Sequence, residues 1–285
     1  MLPFMTAIVE AGVPLRFHAA GRPPRSTGDT GAGDPLLLVH GWGGDARAWS
    51  GLDFGRRQVV TVDLRGHGHS PVLRNGYRPT DYARDLAGVV ERLDLGPVVA
   101  VGHSMGGQIV AQLALEYQEL VRAVVAVDPA YGADEAEAAT FADRLAALRK
   151  DGAAAAVRQL GLPAGAVRDQ LLATPGHVLA DSYAGMYTDP DAFGARPAAR
   201  ARLSGLGQPL LTLRSVPSMA AWDVGLSLPY GSRIALWTGC GHFLHHERPH
   251  QFVALLESWL TSLPEPRAHA GSSESFSVGR TRPGR

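Results

Sequence analysis

Apolar residues in this chain come mainly in short unbroken runs rather than in alternation. Pro35-Leu36-Leu37-Leu38-Val39, Val59-Val60-Thr61-Val62-Asp63, Val98-Val99-Ala100-Val101, Val121 to Val127, Pro209-Leu210-Leu211-Thr212-Leu213 and Ser232 to Trp237 are all of this kind. Such runs have no polar face to show to water, so they predict strands buried on both sides, as in a parallel sheet. The N-terminus departs from the rule. Thr6-Ala7-Ile8-Val9-Glu10, Ala11-Gly12 and Val13-Pro14-Leu15-Arg16-Phe17-His18 predict an edge hairpin, with alternation in its second arm. Between the runs the period becomes helical. Thr80 is the expected N-cap of a helix through Leu93 whose apolar face is Tyr82, Leu86, Val89, Val90 and Leu93, and Gln108 to Tyr117 and Pro249 to Leu263 predict two more. Strands alternating with helices imply an α/β fold, a mostly parallel sheet with helices on both faces.

From Ala130 to about Gly207 the texture changes to alanine-rich segments broken by Gly152, Pro163, Pro175, Pro190 and Pro197, which predicts four or five short helices. Because the buried-strand pattern resumes at Pro209, this block reads as an insertion between two strands of one sheet, where a helical lid would sit. The expected organisation is a core of residues 1–129 and 208–263, a lid of residues 130–207 and a disordered tail of residues 264–285, with Gly21 to Asp34 a mobile loop.

Composition narrows the picture in a few places. Lysine plus arginine equals aspartate plus glutamate at 27 each, so nothing points to nucleic acid as a partner. Hydrophobic residues at 45% and charged residues at 19% match a globular enzyme, and no apolar run reaches the length of a membrane span. Met1-Leu2-Pro3-Phe4-Met5 lacks the basic segment and apolar run of a secretory signal. The single cysteine, Cys240, excludes an intramolecular disulfide, and together these features give a cytoplasmic location as the expectation. Nothing in the sequence sets an oligomeric state.

The chemistry concentrates at the end of the Val98 run. There Gly102-His103-Ser104-Met105-Gly106-Gly107 stands between a predicted strand and a predicted helix, the context in which Gly-x-Ser-x-Gly forms a sharp turn with the serine at its apex. A serine hydroxyl is a weak nucleophile that needs a base within hydrogen-bond reach and a third group to fix that base. His242, in the glycine-punctuated turn Gly239-Cys240-Gly241-His242 after the last strand, is the candidate base. His40, His67, His69 and His103 also lie near strand ends, and His103, inside the turn, is expected to pack to one side. The alternative, a metal cluster of His242, His245, His246 and His250, lacks an accompanying carboxylate motif, and Glu247 fits a surface or capping role equally well.

Four ordered blocks resemble the α/β-hydrolase superfamily: His40-Gly41-Trp42-Gly43-Gly44, Asp63-Leu64-Arg65-Gly66-His67-Gly68-His69-Ser70, the Ser104 turn, and Gly241-His242-Phe243-Leu244-His245-His246-Glu247-Arg248-Pro249. The resemblance spans roughly residues 6–263 and implies an α/β-hydrolase fold with Ser104 as nucleophile and His242 as base. It further implies an oxyanion hole from the backbone N–H groups of Met105 and Trp42, a structural role for Asp63, and no metal or organic cofactor. Trp42 could equally be an aromatic packed under the lid.

The acid departs from the family pattern. The strand after the lid leads into Arg214-Ser215-Val216-Pro217, with no carboxylate until Asp223 in what reads as the start of a helix, where it could face solvent. Asp128, at the end of the strand after the nucleophile helix, is favoured instead, as in certain haloalkane dehalogenases and the zearalenone lactonase type. Its alternative role is to open a turn as Asp128-Pro129, and Asp223 remains the alternative acid. The expected activity is cleavage of an ester, lactone or thioester through an acyl-enzyme. Perhydrolase or haloperoxidase chemistry and C–C bond hydrolysis use the same triad, and a non-catalytic ligand-binding module is the competing reading of another class. Lid residues Phe141, Leu145, Leu148, Tyr183, Met186, Tyr187 and Phe193 suggest a small-molecule, apolar acyl substrate, although a helical lid needs such residues for its own packing.

Overall fold

A computed structural model describes residues 5–6, 13–20 and 33–264. Eight strands form one sheet: β1 (Met5–Thr6), β2 (Arg16–Ala20), β3 (Leu36–Val39), β4 (Val59–Asp63), β5 (Val98–His103), β6 (Val121–Val127), β7 (Leu210–Arg214) and β8 (Arg233–Leu236). Their spatial order is β1-β2-β4-β3-β5-β6-β7-β8. The six apolar runs of the sequence are β3 to β8, paired in parallel, and β2 joins β4 antiparallel at the edge. Part of the expected hairpin, most of the Gly21–Asp34 loop and all but Pro264 of the expected tail lie outside the described residues.

Alternate side chains of the central strands enter opposite cores. Leu37 and Val39 of β3 join one cluster with Leu86 of α1 (Pro79–Arg92) and Ile109 of α2 (Met105–Glu116). Leu36 and Leu38 join another with Trp49 and with Phe252, Leu256 and Trp259 of the C-terminal helix Pro249–Ser262. Each fully buried aliphatic side chain contributes about 1.5–3 kcal/mol, so the doubly covered strands fix the sheet and the loops at its carboxyl edge. Helix α1 begins two residues earlier than the expected N-cap would allow. Pro79, which has no N–H to leave unsatisfied, takes the first turn, and the Asp81 carboxylate accepts a hydrogen bond from Arg78 N at 3.1 Å, so Thr80 lies inside the helix.

The insertion between β6 and β7 holds six helices rather than four or five: α3 (Glu135–Ala138), α4 (Phe141–Asp151), α5 (Ala153–Leu160), α6 (Ala166–Ala173), α7 (Gly176–Tyr187) and α8 (Arg196–Leu203). The additional element is α3, a single turn capped by Asp134, while α4 and α5 divide at Gly152, one of the expected breaks, whose φ of +55° ends one helix and starts the next. Helices α4 to α7 share their own small core around Leu145, Leu148, Leu171, Leu179 and Tyr183, whereas Met186 and Phe193 belong to the main core. After β7 come α9 (Pro217–Val224), α10 (Leu244–Glu247) and α11 (Pro249–Ser262). No helix among the described residues is long and apolar enough to cross a membrane.

Candidate active site

Parallel pairing brings the carboxyl ends of β3, β5, β6, β7 and β8 to one edge of the sheet, the edge at which α/β sheets bind ligands. Ser104 stands between β5 and α2 with φ 53° and ψ −116°, a backbone region that L-residues rarely adopt. The close packing explains the glycines beside it. A Cβ on Gly102 would meet Gly106 O, and one on Gly106 would lie 2.4 Å from Val39 O, so β3, β5 and α2 meet there backbone to backbone.

The turn is tied to the end of the next strand. Ser104 N donates to Val127 O at 2.9 Å and Ala130 N donates to Ser104 O at 3.0 Å, so both backbone groups of the serine bracket the turn that carries Asp128. Asp128 itself has φ 41°, in the left-handed region that aspartate tolerates better than most residues. Its Oδ2 receives His242 Nδ1 at 2.7 Å and Ser215 Oγ at 2.9 Å, and its Oδ1 accepts from Ser215 N at 3.0 Å. Burial alone would push this carboxyl up. The bonds from His242 and Ser215 outweigh burial and hold it below the usual carboxylate range.

His242 lies in the turn between β8 and α10. Gly241 N donates to Glu247 Oε1 at 2.9 Å, which braces the turn from within and gives Glu247 its role. His103, the neighbour of Ser104, packs its ring 4.6 Å from that of His242 and places Nε2 2.9 Å from His242 O. Burial, with His242 as the next contribution, lowers the His103 pKa well below the ordinary histidine value, so its ring is a neutral donor to that carbonyl. The serine turn, the aspartate turn and the histidine turn are thus linked to one another by hydrogen bonds.

The other candidates fall elsewhere. Asp223 does not face solvent. It is 1% exposed and grips Arg214 through two hydrogen bonds of 2.6 and 3.1 Å, and Arg214 also donates to Pro129 O and Tyr131 O. The helix turns this face inward because α9 packs on β7 and β8, which a local reading of Pro217–Val224 does not reveal. Asp63 accepts from Ala46 N and His69 N, each at 2.8 Å. His245 and His246 both direct Nε2 at Ala48 O, and among the described residues no group of three or more His, Cys, Asp or Glu side chains is arranged to hold a metal ion. Ser215 was not singled out by the sequence. Its signal was indirect, a hydroxyl at the position after β7 where a carboxylate was expected.

The loop after β3 completes the neighbourhood. Gly44 N donates to Gly41 O at 3.0 Å, and His40 bridges Gly41 O through Nδ1 at 2.8 Å and Leu64 N through Nε2 at 3.0 Å. A Cβ on Gly41 would lie 3.1 Å from Ser104 Cβ, so this loop rests directly on the serine. Met105 opens α2, where the first N–H groups of a helix have no intrahelical acceptor.

Residues 34–168 match the family model described as alpha/beta hydrolase fold. The chain has an α/β-hydrolase fold. An uncharacterized protein from Mycobacterium tuberculosis is 29% identical over 280 residues, covering 86% of this chain and 81% of the relative. A 2-(acetamidomethylene)succinate hydrolase from Mesorhizobium japonicum is 36% identical over 111 residues, 38% of this chain and 40% of that enzyme. Among solved structures, a thermophilic esterase from Thermogutta terrifontis has the same fold, with a TM-score of 0.72 and 22% identity over 91% of this chain and 98% of the esterase.

Proposed function

We propose that this chain is a serine hydrolase that cleaves an ester, lactone or thioester of an apolar acyl group through an acyl-enzyme. The observation that carries the reading is the 2.7 Å contact between Asp128 Oδ2 and His242 Nδ1, made on a turn whose backbone is hydrogen-bonded on both sides to Ser104. In this reading Ser104 Oγ attacks the substrate carbonyl carbon as its proton passes to His242 Nε2. The C=O electrons move to oxygen, and the oxyanion accepts hydrogen bonds from Met105 N and Trp42 N, each such donor being worth about 3–4 kcal/mol in the transition state. Collapse expels the alcohol or thiol, which takes the proton from His242. Water then repeats the sequence, with His242 as base, and releases the acid.

Asp128 is suited to its part because a carboxyl held below the usual range stays ionised at neutral pH and stabilises the imidazolium without taking its proton. The rings of Trp42, Tyr183, Tyr187 and Phe141 follow one another at separations of 5.9, 4.8 and 4.5 Å, an apolar row that runs from the loop after β3 into the lid.

A fluorophosphonate probe tests the reading. Intact mass of the folded protein is expected to rise by one phosphonyl group, localised to Ser104 and absent in Ser104→Ala, and a panel of p-nitrophenyl esters, lactones and a thioester then orders the substrates. Folded protein that takes up no label at Ser104 contradicts it.

A further inference from the structure

The loop that carries Trp42 is held from two sides, and one of them is the lid. From below, Gly41 rests on His103 and Ser104. From above, four contacts come from α6 and α7. The Trp42 indole Nε1 donates to Leu179 O at 3.1 Å and Ser182 Oγ at 3.0 Å in α7. Gly43, at φ +68°, meets Leu171 of α6 so closely that an added Cβ would lie 2.0 Å from its Cδ1. Gln170 Nε2 of α6 donates to Asp45 Oδ1 at 3.0 Å. Trp42 also packs against both the lid's own apolar core and the main core, with its ring 5.9 Å from that of Tyr183.

These contacts leave the loop little freedom of its own. The direction of the Trp42 N–H follows from where residues 41 to 45 sit, and that depends on the lid as much as on the sheet. Ser182 supports the arrangement, because its hydroxyl donates to Val178 O at 2.6 Å and so presents a lone pair to the indole. From this we infer that helices α6 and α7 are part of the transition-state binding machinery, with the Trp42 indole, Leu171 and Gln170 as positioning residues that aim the Trp42 N–H at the developing oxyanion. The inference rests on the Ser104 reading above. It assigns to the lid a task besides covering the substrate, since displacing it would misalign one oxyanion donor.

Positioning predicts a loss confined to the transition state. A misplacement of about 1 Å can cost about 100-fold in rate, and ground-state binding of the acyl chain need not change. The test compares wild type, Trp42→Phe and the double variant Gln170→Ala/Leu171→Ala on the p-nitrophenyl ester that wild type cleaves best. Each is also titrated with phenylboronic acid, which adds to a serine as a tetrahedral anion. Both variants are expected to lose about 10- to 100-fold in kcat, with a matching loss of boronate affinity and KM within about 3-fold of wild type. A merely structural role would lower the melting temperature and leave boronate affinity and kcat of the folded fraction near wild type. If Trp42→Phe does not fold, the double variant, altered only on the lid side, carries the comparison. Folded variants that match wild type within about 2-fold in kcat and boronate affinity overturn the coupling alone. Wild type that neither turns over an ester nor binds boronate overturns the Ser104 reading and the coupling with it.

Discussion

Ser215 gives Asp128 two hydrogen bonds, from its backbone N to Oδ1 at 3.0 Å and from its hydroxyl to Oδ2 at 2.9 Å. The residue that follows β7 therefore serves a carboxylate that follows β6, and the pairing of the two strands makes the contact. Ser215→Ala removes only the hydroxyl bond. A hydrogen bond to a charged group contributes about 1.5 kcal/mol net, so the variant is expected to unfold more easily by about that amount at pH 7. The sign with pH follows from the lowered Asp128 pKa. Its stabilisation is complete above the unfolded carboxyl value near 3.9 and is lost as pH falls through the folded value. The gap between wild type and Ser215→Ala in urea midpoint should therefore hold down to about pH 4 and close only below it, as pH falls through the lowered folded value.

Arg214 and Asp223 are 2% and 1% exposed, so neither can turn to water if the other is removed. Breaking a buried pair by deleting one partner costs about 3–5 kcal/mol, whereas replacing both with apolar groups of similar volume is often neutral. Asp223→Asn is expected to lose stability on that scale and Arg214→Met/Asp223→Leu to recover most of it, both read by denaturant midpoint. A double variant no more stable than the single one would show that Arg214 matters mainly for its bonds to Pro129 O and Tyr131 O.

Ser104 keeps its strained φ of 53° because the turn demands it. Glycine adopts this conformation without penalty, so Ser104→Gly is expected to raise stability by about 1 kcal/mol while removing activity. Ser104→Ala, which keeps the Cβ, should gain nothing. Thermal melts of the three proteins decide it, and equal melting temperatures for the glycine and alanine variants would argue against stored strain.

Four buried histidines set the acid limit of the fold. Burial lowers the pKa of His40, His67, His103 and His245, reaching about 3 for His67 and His245. Because the unfolded chain binds these protons near pH 6.5 and the folded chain does not, stability should fall as pH drops below about 6.5 and continue to fall towards the folded values. Melting temperatures measured from pH 7.5 to 4.5 should decline monotonically. A flat profile across that range would contradict the neutral, buried state of the rings.

The sheet was legible because Val98 to Val101 and its counterparts are apolar on both faces, a pattern that only a doubly covered strand satisfies. The serine turn was legible from its glycines, and Asp128 from its place at a strand end. What stayed hidden depends on which elements become neighbours. Ser215 acquires meaning only once β6 and β7 pair in register, and Asp223 only once α9 folds back so that Arg214 lies beneath it. The indole of Trp42 could be placed under a lid from sequence, but its acceptors in α7 lie about 140 residues away, a distance that local pattern does not bridge. The number of helices between β6 and β7 was blurred because alanine-rich helices with few capping residues carry weak start and stop signals.

The central claim is that Asp128, from the end of β6, serves His242 in catalysis. The most direct measurement is kcat/KM on an activated ester for Asp128→Asn and Asp223→Asn, each assayed well below its melting temperature. The asparagine at 128 keeps the shape and removes the charge that stabilises the imidazolium. A loss of about 10³- to 10⁴-fold is expected for it, with Asp223→Asn retaining most of the activity of its folded fraction. Near-normal turnover by folded Asp128→Asn, with collapse in folded Asp223→Asn, would contradict the account.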